Sequence, residues 1–305
     1  MSQLDESLAS KWKKFKSFNF EANTQWKEYQ ENLTFPENLS AEKKQSLLSK
    51  YQKKFYLKHV DPTLKSYEIP YSVSELNGDS HNATMIFLHG FGDQSDGWSQ
   101  TFDRFLSDEK FKKLKFLVPN APSQPISLGF GMSFKSWYNV KSLAVEGPDV
   151  NEDVPSMEAC FEKITQLIDR EINEFGVDPS RIIISGFSQG GSVAFYYGLS
   201  CKYKLGGIAI LSSWLPLRTQ LQSLLQNPEF DFKNCKTPIF IAHGDADNVL
   251  EYKYGVSSKD YLVNQVLNQG GGSEHVEFHT YKGMGHSSNE EELRDLGRFI
   301  GKVLN

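Results

Sequence analysis

Apolar residues along this chain fall into two kinds of pattern. Unbroken runs at residues 85–88, 116–118, 182–184, 207–211 and 238–242 predict strands buried on both faces, as in a parallel sheet. Residues 276–281 alternate apolar and polar positions, which predicts a strand near the sheet edge. Between these runs, Met157, Phe161, Ile164, Leu167, Ile168 and Ile172 recur at helical spacing. Residues 192–199 predict a second helix, and Leu293, Leu296, Phe299, Ile300 and Val303 a closing amphipathic one. Strand and helix alternate without internal repeats, so the expected fold class is α/β: a mostly parallel sheet flanked by crossover helices.

Residues 1–78 follow a different rule. Leu4, Leu8, Trp12 and Phe15 sit at helical spacing among Lys11, Lys13, Lys14 and Lys16. Ser40 is a candidate cap for a helix striped by Leu47, Leu48, Tyr51 and Phe55 beside Lys50, Lys53, Lys54 and Lys58. Trp26, Tyr29, Leu33 and Phe35 lie between and lead to a break at Pro36. Two readings stand: an appendage packing its aromatics on the main domain, or a basic-aromatic surface in residues 1–60 for a protein partner or a membrane face. The polar, turn-rich stretch 75–82 sets the expected boundary, with an α-helical N-terminal extension over 1–78 and the main domain over 79–305.

Composition adds limits. The 305 residues are 39% hydrophobic with a net charge of -5, enough for one large core and no basis for nucleic-acid binding. Cys160, Cys201 and Cys235 are widely spaced, which fits a reducing compartment rather than disulfides or zinc. No apolar run approaches the roughly 18 residues of a membrane span, and the N-terminus has no apolar signal core. The expectation is a cytoplasmic protein.

The chemistry concentrates in Gly186-Phe-Ser-Gln-Gly190, between a β-branched run and a helical segment. A serine at the apex of such a strand–turn–helix is the nucleophile elbow of α/β-hydrolases. A serine hydroxyl needs an adjacent base, and a histidine serves when a carboxylate fixes its tautomer. In the order Ser, acid, His, Ser188 is the nucleophile and His286, in a Gly-rich loop after the last strand, the base. His59 and His81 precede the sheet and His279 lies within a strand; His89 and His243 stand at loop entries, where bonding the backbone is the expected work. Asp245 and Asp247 compete for the acid, one of them expected in turn chemistry. The loop Gly90-Phe-Gly92 after an early strand and the residue after Ser188 supply the expected oxyanion donors, the N–H groups of Phe91 and Gln189. The excursion ending at Tyr138 either walls an acyl groove with Phe130, Met132, Phe134 and Trp137 or is a surface loop anchored by Trp137. Trp214, past the end of a strand, and Phe187, beside the nucleophile, complete the expected substrate contacts. No phosphate loop, dinucleotide fingerprint or metal-ligand set is present, so no cofactor is expected.

Seven blocks, in order, resemble the acyl-protein thioesterase and lysophospholipase-like carboxylesterase family. They are Leu88-His-Gly-Phe-Gly-Asp93, Pro119-Asn-Ala-Pro122, Ser136-Trp137, Gly186-Phe-Ser-Gln-Gly-Gly191, Ser213-Trp-Leu-Pro-Leu217, His243-Gly-Asp-Ala-Asp247 and Gly283-Met-Gly-His-Ser-Ser288. The resemblance spans roughly residues 80–305. It implies Ser188, Asp247 and His286 as the triad. It also implies hydrolysis of acyl thioesters on protein cysteines, or of lysophospholipids and small esters, through an acyl-enzyme. Asn248 replaces the family's usual Pro, Gln94-Ser-Asp96 alters the rim after Asp93, and Ser2 stands where S-acylated relatives carry Cys. The extension lies outside the family pattern, which motivates an alternative: a hydrolase-fold subunit docked in a larger assembly by its N-terminus.

Overall fold

The computed structural model describes residues 13–33, 35, 41, 44–45, 48, 51–52, 55–60, 81–141, 152–268 and 272–304, and the backbone of 73–76. Leu4, Leu8, Lys11, Trp12, Pro36, Ser40, Leu47, Lys50, Lys53 and Lys54, invoked above, lie outside these residues. The chain divides into two compact units, Met1–Glu68 with Asp169–Gly176, and Ile69–Ile168 with Val177–Asn305.

The first unit is built on aromatic rings. Asn23 caps helix α1 (Thr24–Glu31) by accepting the Trp26 N–H at 2.8 Å, which satisfies one of the N–H groups a helix start leaves without an acceptor. Trp26 is then fully buried, with Phe20 and Phe55 each 5.3 Å away edge-on. Tyr56 receives Phe15 and Phe18 at 5.1 and 5.0 Å. Edge-to-face pairs contribute about 0.5–1.5 kcal/mol each beyond area burial. With the rings turned on one another, Lys13, Lys14, Lys27, Lys44 and Lys58 remain exposed.

The second unit is a seven-stranded sheet: β1 (Val73–Leu76), β2 (Ala83–Leu88), β3 (Leu114–Pro119), then β6 (Ile182–Phe187), β7 (Gly207–Leu211), β8 (Ile239–Gly244) and β9 (Val276–Tyr281). β4 (Ser123–Pro125) and β5 (Ser133–Lys135) form a separate hairpin. The spatial order is β1-β3-β2-β6-β7-β8-β9, with only β1 antiparallel. Every residue of β2, β3, β7 and β8 is buried, because helices cover both faces. β9, the alternating run, is an edge strand. The boundary expected at residue 78 falls after β1.

Among the described residues, the α-helices of this unit are α2 (Asp96–Leu106), α3 (Val154–Phe175, whose end from Asp169 belongs to the first unit), α4 (Ser188–Ser200), α5 (Arg218–Gln226), α6 (Tyr252–Tyr261) and α7 (Glu290–Leu304). α3 and α7 match their apolar stripes. α4 starts four residues before the stripe at 192, since Ser-Gln-Gly-Gly has little helix propensity of its own and the turn at the end of β6 imposes the start. Trp98, Phe102 and Phe105 in α2 also recur at helical spacing, a signal the expectations above pass over. Phe87, Trp98, Phe102, Phe116, Phe240, Leu296 and Phe299 fill one face of the sheet.

From β2 the chain steps outward to β3 and later returns to β6 on the other side of β2. Connections leaving in opposite directions open a crevice at the C-terminal ends of these two strands, the usual ligand position in open α/β sheets.

Candidate active site

Ser188 stands at that crevice, between β6 and α4. Its φ is 52°, a left-handed conformation that costs an L-residue about 1–2 kcal/mol, and it lifts the side chain out of the turn. Two glycines make the turn feasible. A Cβ on Gly186 would lie 2.5 Å from the Gly190 carbonyl group, and one on Gly190 would lie 2.1 Å from Leu88 O. Any side chain there would push the helix off β2.

Two side chains extend a relay from the serine. Ser188 Oγ–H donates to His286 Nε2 at 2.9 Å, and His286 Nδ1–H donates to Asp247 Oδ2 at 2.7 Å. Asp247 is held from behind: its Oδ1 accepts the N–H groups of Val249 and Leu250, both at 2.9 Å. His243 Nε2 lies 3.4 Å from Asp247 Oδ2 and donates to Leu250 O at 2.9 Å. Burial pushes the His243 pKa down, which keeps that imidazole neutral, and the carboxylate is buried beside it. Asp245, the competing aspartate, accepts the Gly283 N–H at 2.6 Å and so ties down the loop that carries His286. Phe187 packs its ring 4.8 Å from the His286 ring.

The expected oxyanion donors flank the serine. Gln189 is in the first turn of α4, where N–H groups have no acceptor within the helix and the helix carries about half a positive charge. Phe91 follows Gly90, whose added Cβ would lie 3.5 Å from Ser188 Cβ. In that turn the amides of Gly92 and Asp93 are committed to Lys135 O and Gly90 O. A serine with a paired base, an oriented acid and, among the described residues, uncommitted amides on two sides is chemically equipped for acyl transfer.

The four expected substrate contacts are placed differently from one another. Met132 (59% exposed), on the β4–β5 hairpin beside Phe130 (97%), faces solvent. Trp137 is buried and donates its Nε1–H to His89 O at 2.7 Å, the anchoring arrangement. Trp214 is half-buried, with Nε1–H directed at Glu152 Oε1 at 3.4 Å. Phe187 is half-buried against His286 and Trp98. Phe134 lies with its ring tilted 5.3 Å from that of Phe91. His89 and His243 both bond loop backbone.

Other residues support the site, and among them only Glu152 carried no prior signal in the sequence. Ser213 Oγ–H donates to Ser188 O at 2.6 Å and steadies the strained residue. Glu152 Oε2 accepts the Leu217 N–H at 2.7 Å and fixes the segment after β7. The rim differs from the family pattern at Ser95, and there Ser95 N–H donates to Asn120 Oδ1 at 2.7 Å while Asn120 Nδ2 returns a bond to Ser95 Oγ at 3.0 Å.

Comparison with known proteins identifies the family. Residues 71–304 match the family model described as Phospholipase/Carboxylesterase. Acyl-protein thioesterase 1 of Neurospora crassa is 40% identical over 73% of this chain and 88% of its own length. Acyl-protein thioesterase 1 homolog 1 of Dictyostelium discoideum is 36% identical over 74% and 92%. Among solved structures, Zea mays acyl-protein thioesterase 2 superposes with a TM-score of 0.64 at 27% identity, covering 77% of this chain and all of that one. Arabidopsis thaliana SOBER1 gives 0.63 at 28%, over 73% and 99%. The likeness begins at the residues of the main sheet and runs through the closing helix, so this chain belongs to the phospholipase/carboxylesterase family of α/β-hydrolases.

Proposed function

We propose that the protein hydrolyses acyl thioesters or esters through an acyl-enzyme on Ser188, with S-acylated proteins as its substrate class. The continuous relay from Ser188 through His286 to Asp247 carries this reading, and the thioesterase relatives favour the substrate class. In acylation, Ser188 Oγ attacks the acyl carbonyl as His286 Nε2 takes the hydroxyl proton, and Asp247 stabilises the imidazolium. The tetrahedral oxygen lies against the Phe91 and Gln189 amides. Collapse expels the thiolate or alkoxide, which receives the proton from His286. Water, activated by the same imidazole, then releases the acid and regenerates Ser188. The test has two arms. A fluorophosphonate probe should label folded protein on Ser188 and fail on Ser188→Ala; labelling elsewhere alone would overturn the mechanism. Turnover of a palmitoylated peptide over lysophospholipid supports the protein substrate, and the reverse preference refutes it.

A second reading concerns residues 1–60, which lie outside the family match. Eleven lysines against seven acidic residues give this segment +4, leaving the rest of the chain at -9 within the overall -5. Its described aromatics are half-buried or buried and its described lysines exposed. We infer that it docks the enzyme on an anionic membrane face by electrostatics rather than by ring insertion. Binding to phosphatidylserine vesicles that fades between 50 and 300 mM salt, on the order of the screening range, supports this. Salt-independent binding, or none, refutes it.

A further inference from the structure

The amide of Phe91 is useful to an oxyanion only if it is aimed, and a loop peptide between glycines does not aim itself. His89 is completely buried, with Nδ1 2.8 Å from Gly90 O, and the Ala121 N–H donates to its Nε2 at 3.0 Å. A nitrogen that accepts carries no proton, so these contacts assign the neutral tautomer with its single N–H on Nδ1, donating to Gly90 O. Gly90 C=O and Phe91 N–H are the two ends of one trans peptide and point in opposite directions. A donor locked on the carbonyl therefore sets the direction of the Phe91 N–H. The Asp93 N–H adds a second bond to the same carbonyl at 3.2 Å.

The second oxyanion amide belongs to Gln189, and its side chain reaches back toward the first. Gln189 Oε1 accepts the Trp137 N–H at 3.2 Å, while Nε2 donates to Ser136 Oγ at 2.8 Å and Tyr138 O at 3.1 Å. Trp137 then donates its indole N–H to His89 O at 2.7 Å. The path Gln189–Trp137–His89–Gly90 thus joins the two donors through side chains and backbone that are all buried. Gln189, Ser136 and Trp137 use their polar atoms here with no water-facing alternative, so breaking one bond leaves a buried group unpaired.

We propose that His89, Trp137 and the Gln189 side chain are positioning residues that hold the Phe91 and Gln189 amides at a fixed separation for the oxyanion. This rests on the acyl-transfer reading above, and the Ser188→Ala control separates the two: if that variant retains turnover, the acyl-transfer reading fails first. The main variant is Trp137→Phe, which keeps a ring and removes one N–H. The assay is p-nitrophenyl octanoate hydrolysis together with inhibition by octylboronic acid, whose tetrahedral adduct places an oxygen at the oxyanion position. We expect kcat to fall about tenfold, less than the roughly 100-fold or more of losing a donor outright. KM should hold and the boronate Ki rise by the same factor. His89→Phe, which keeps a ring but removes the donor to Gly90 O, gives the same paired shift and serves if Trp137→Phe does not fold. Unchanged kcat in folded Trp137→Phe overturns the proposal. So does a raised KM with unchanged kcat, which would make Trp137 an acyl-chain contact instead.

Discussion

Glu292, in the first turn of α7, is fully buried, and neither carboxyl oxygen has a hydrogen-bond partner among the described residues. Desolvation of the charged form pushes its pKa up from 4.5 to about 8. The folded state therefore holds this proton more tightly than the unfolded chain does. The stability linked to it is fully present below pH 4.5 and is lost as pH rises through 8, at about 1.4 kcal/mol per pH unit in between. Glu292→Gln keeps the shape and removes the titration. Urea unfolding of both proteins at pH 5.5 and 7.5 should show the wild type losing roughly 2–3 kcal/mol more than the variant across that interval. Near neutral pH the variant should be the more stable of the two. Parallel pH profiles would refute the reasoning, because they would mean that the carboxyl is charged or solvated in the folded protein.

Asp247→Asn should cut kcat by about 10³–10⁴-fold, since the base loses its orienting acceptor; Asp245→Asn, which only loosens the Gly283 turn, should cost less than about tenfold, and a larger loss at Asp245 than at Asp247 would reverse the assignment of the two. Gly190→Ala places a methyl about 2.1 Å from Leu88 O, so it should yield insoluble or fluorophosphonate-unreactive protein; a soluble, fully reactive variant would show that the helix tolerates displacement from β2. Trp26→Ala removes the fully buried ring of the aromatic cluster and should destabilise that unit by about 3–5 kcal/mol, read as faster limited proteolysis within residues 13–60; unchanged cleavage would mean that the rings do not hold it.

Much of the candidate site was legible because its geometry demands unusual backbone. Gly186 and Gly190 mark the elbow by steric necessity, and Gly283 and Gly285 mark the loop of His286. The sheet was legible because strands covered on both faces have no polar alternation to blur them. What escaped was everything set by long-range contact. Glu152 meets Trp214 and Leu217 across more than 60 residues, and no local pattern marks a glutamate for that work. Asn289-Glu-Glu-Glu292 reads as an ordinary capping box, and Asn289 Oδ1 does accept the Glu292 N–H at 2.8 Å; that the Glu292 carboxyl is buried is decided by tertiary packing alone. The β4–β5 hairpin divides the alternatives posed for it, its base anchored by Trp137 and its tip bearing solvent-exposed Phe130 and Met132.

The left-handed backbone at Ser188 has a practical corollary. Glycine adopts that conformation without penalty, so replacing the residue relieves strain and adds only the entropy of a looser unfolded chain, about 0.5–1 kcal/mol. A Ser188→Gly protein should therefore be no harder to prepare than the wild type. It would keep the surrounding loops and the His286–Asp247 pair while lacking the atom that forms the covalent bond. Immobilised, it becomes a reagent for capturing uncleaved acyl substrates, and the cargo it retains would report directly on the proposed protein substrate class.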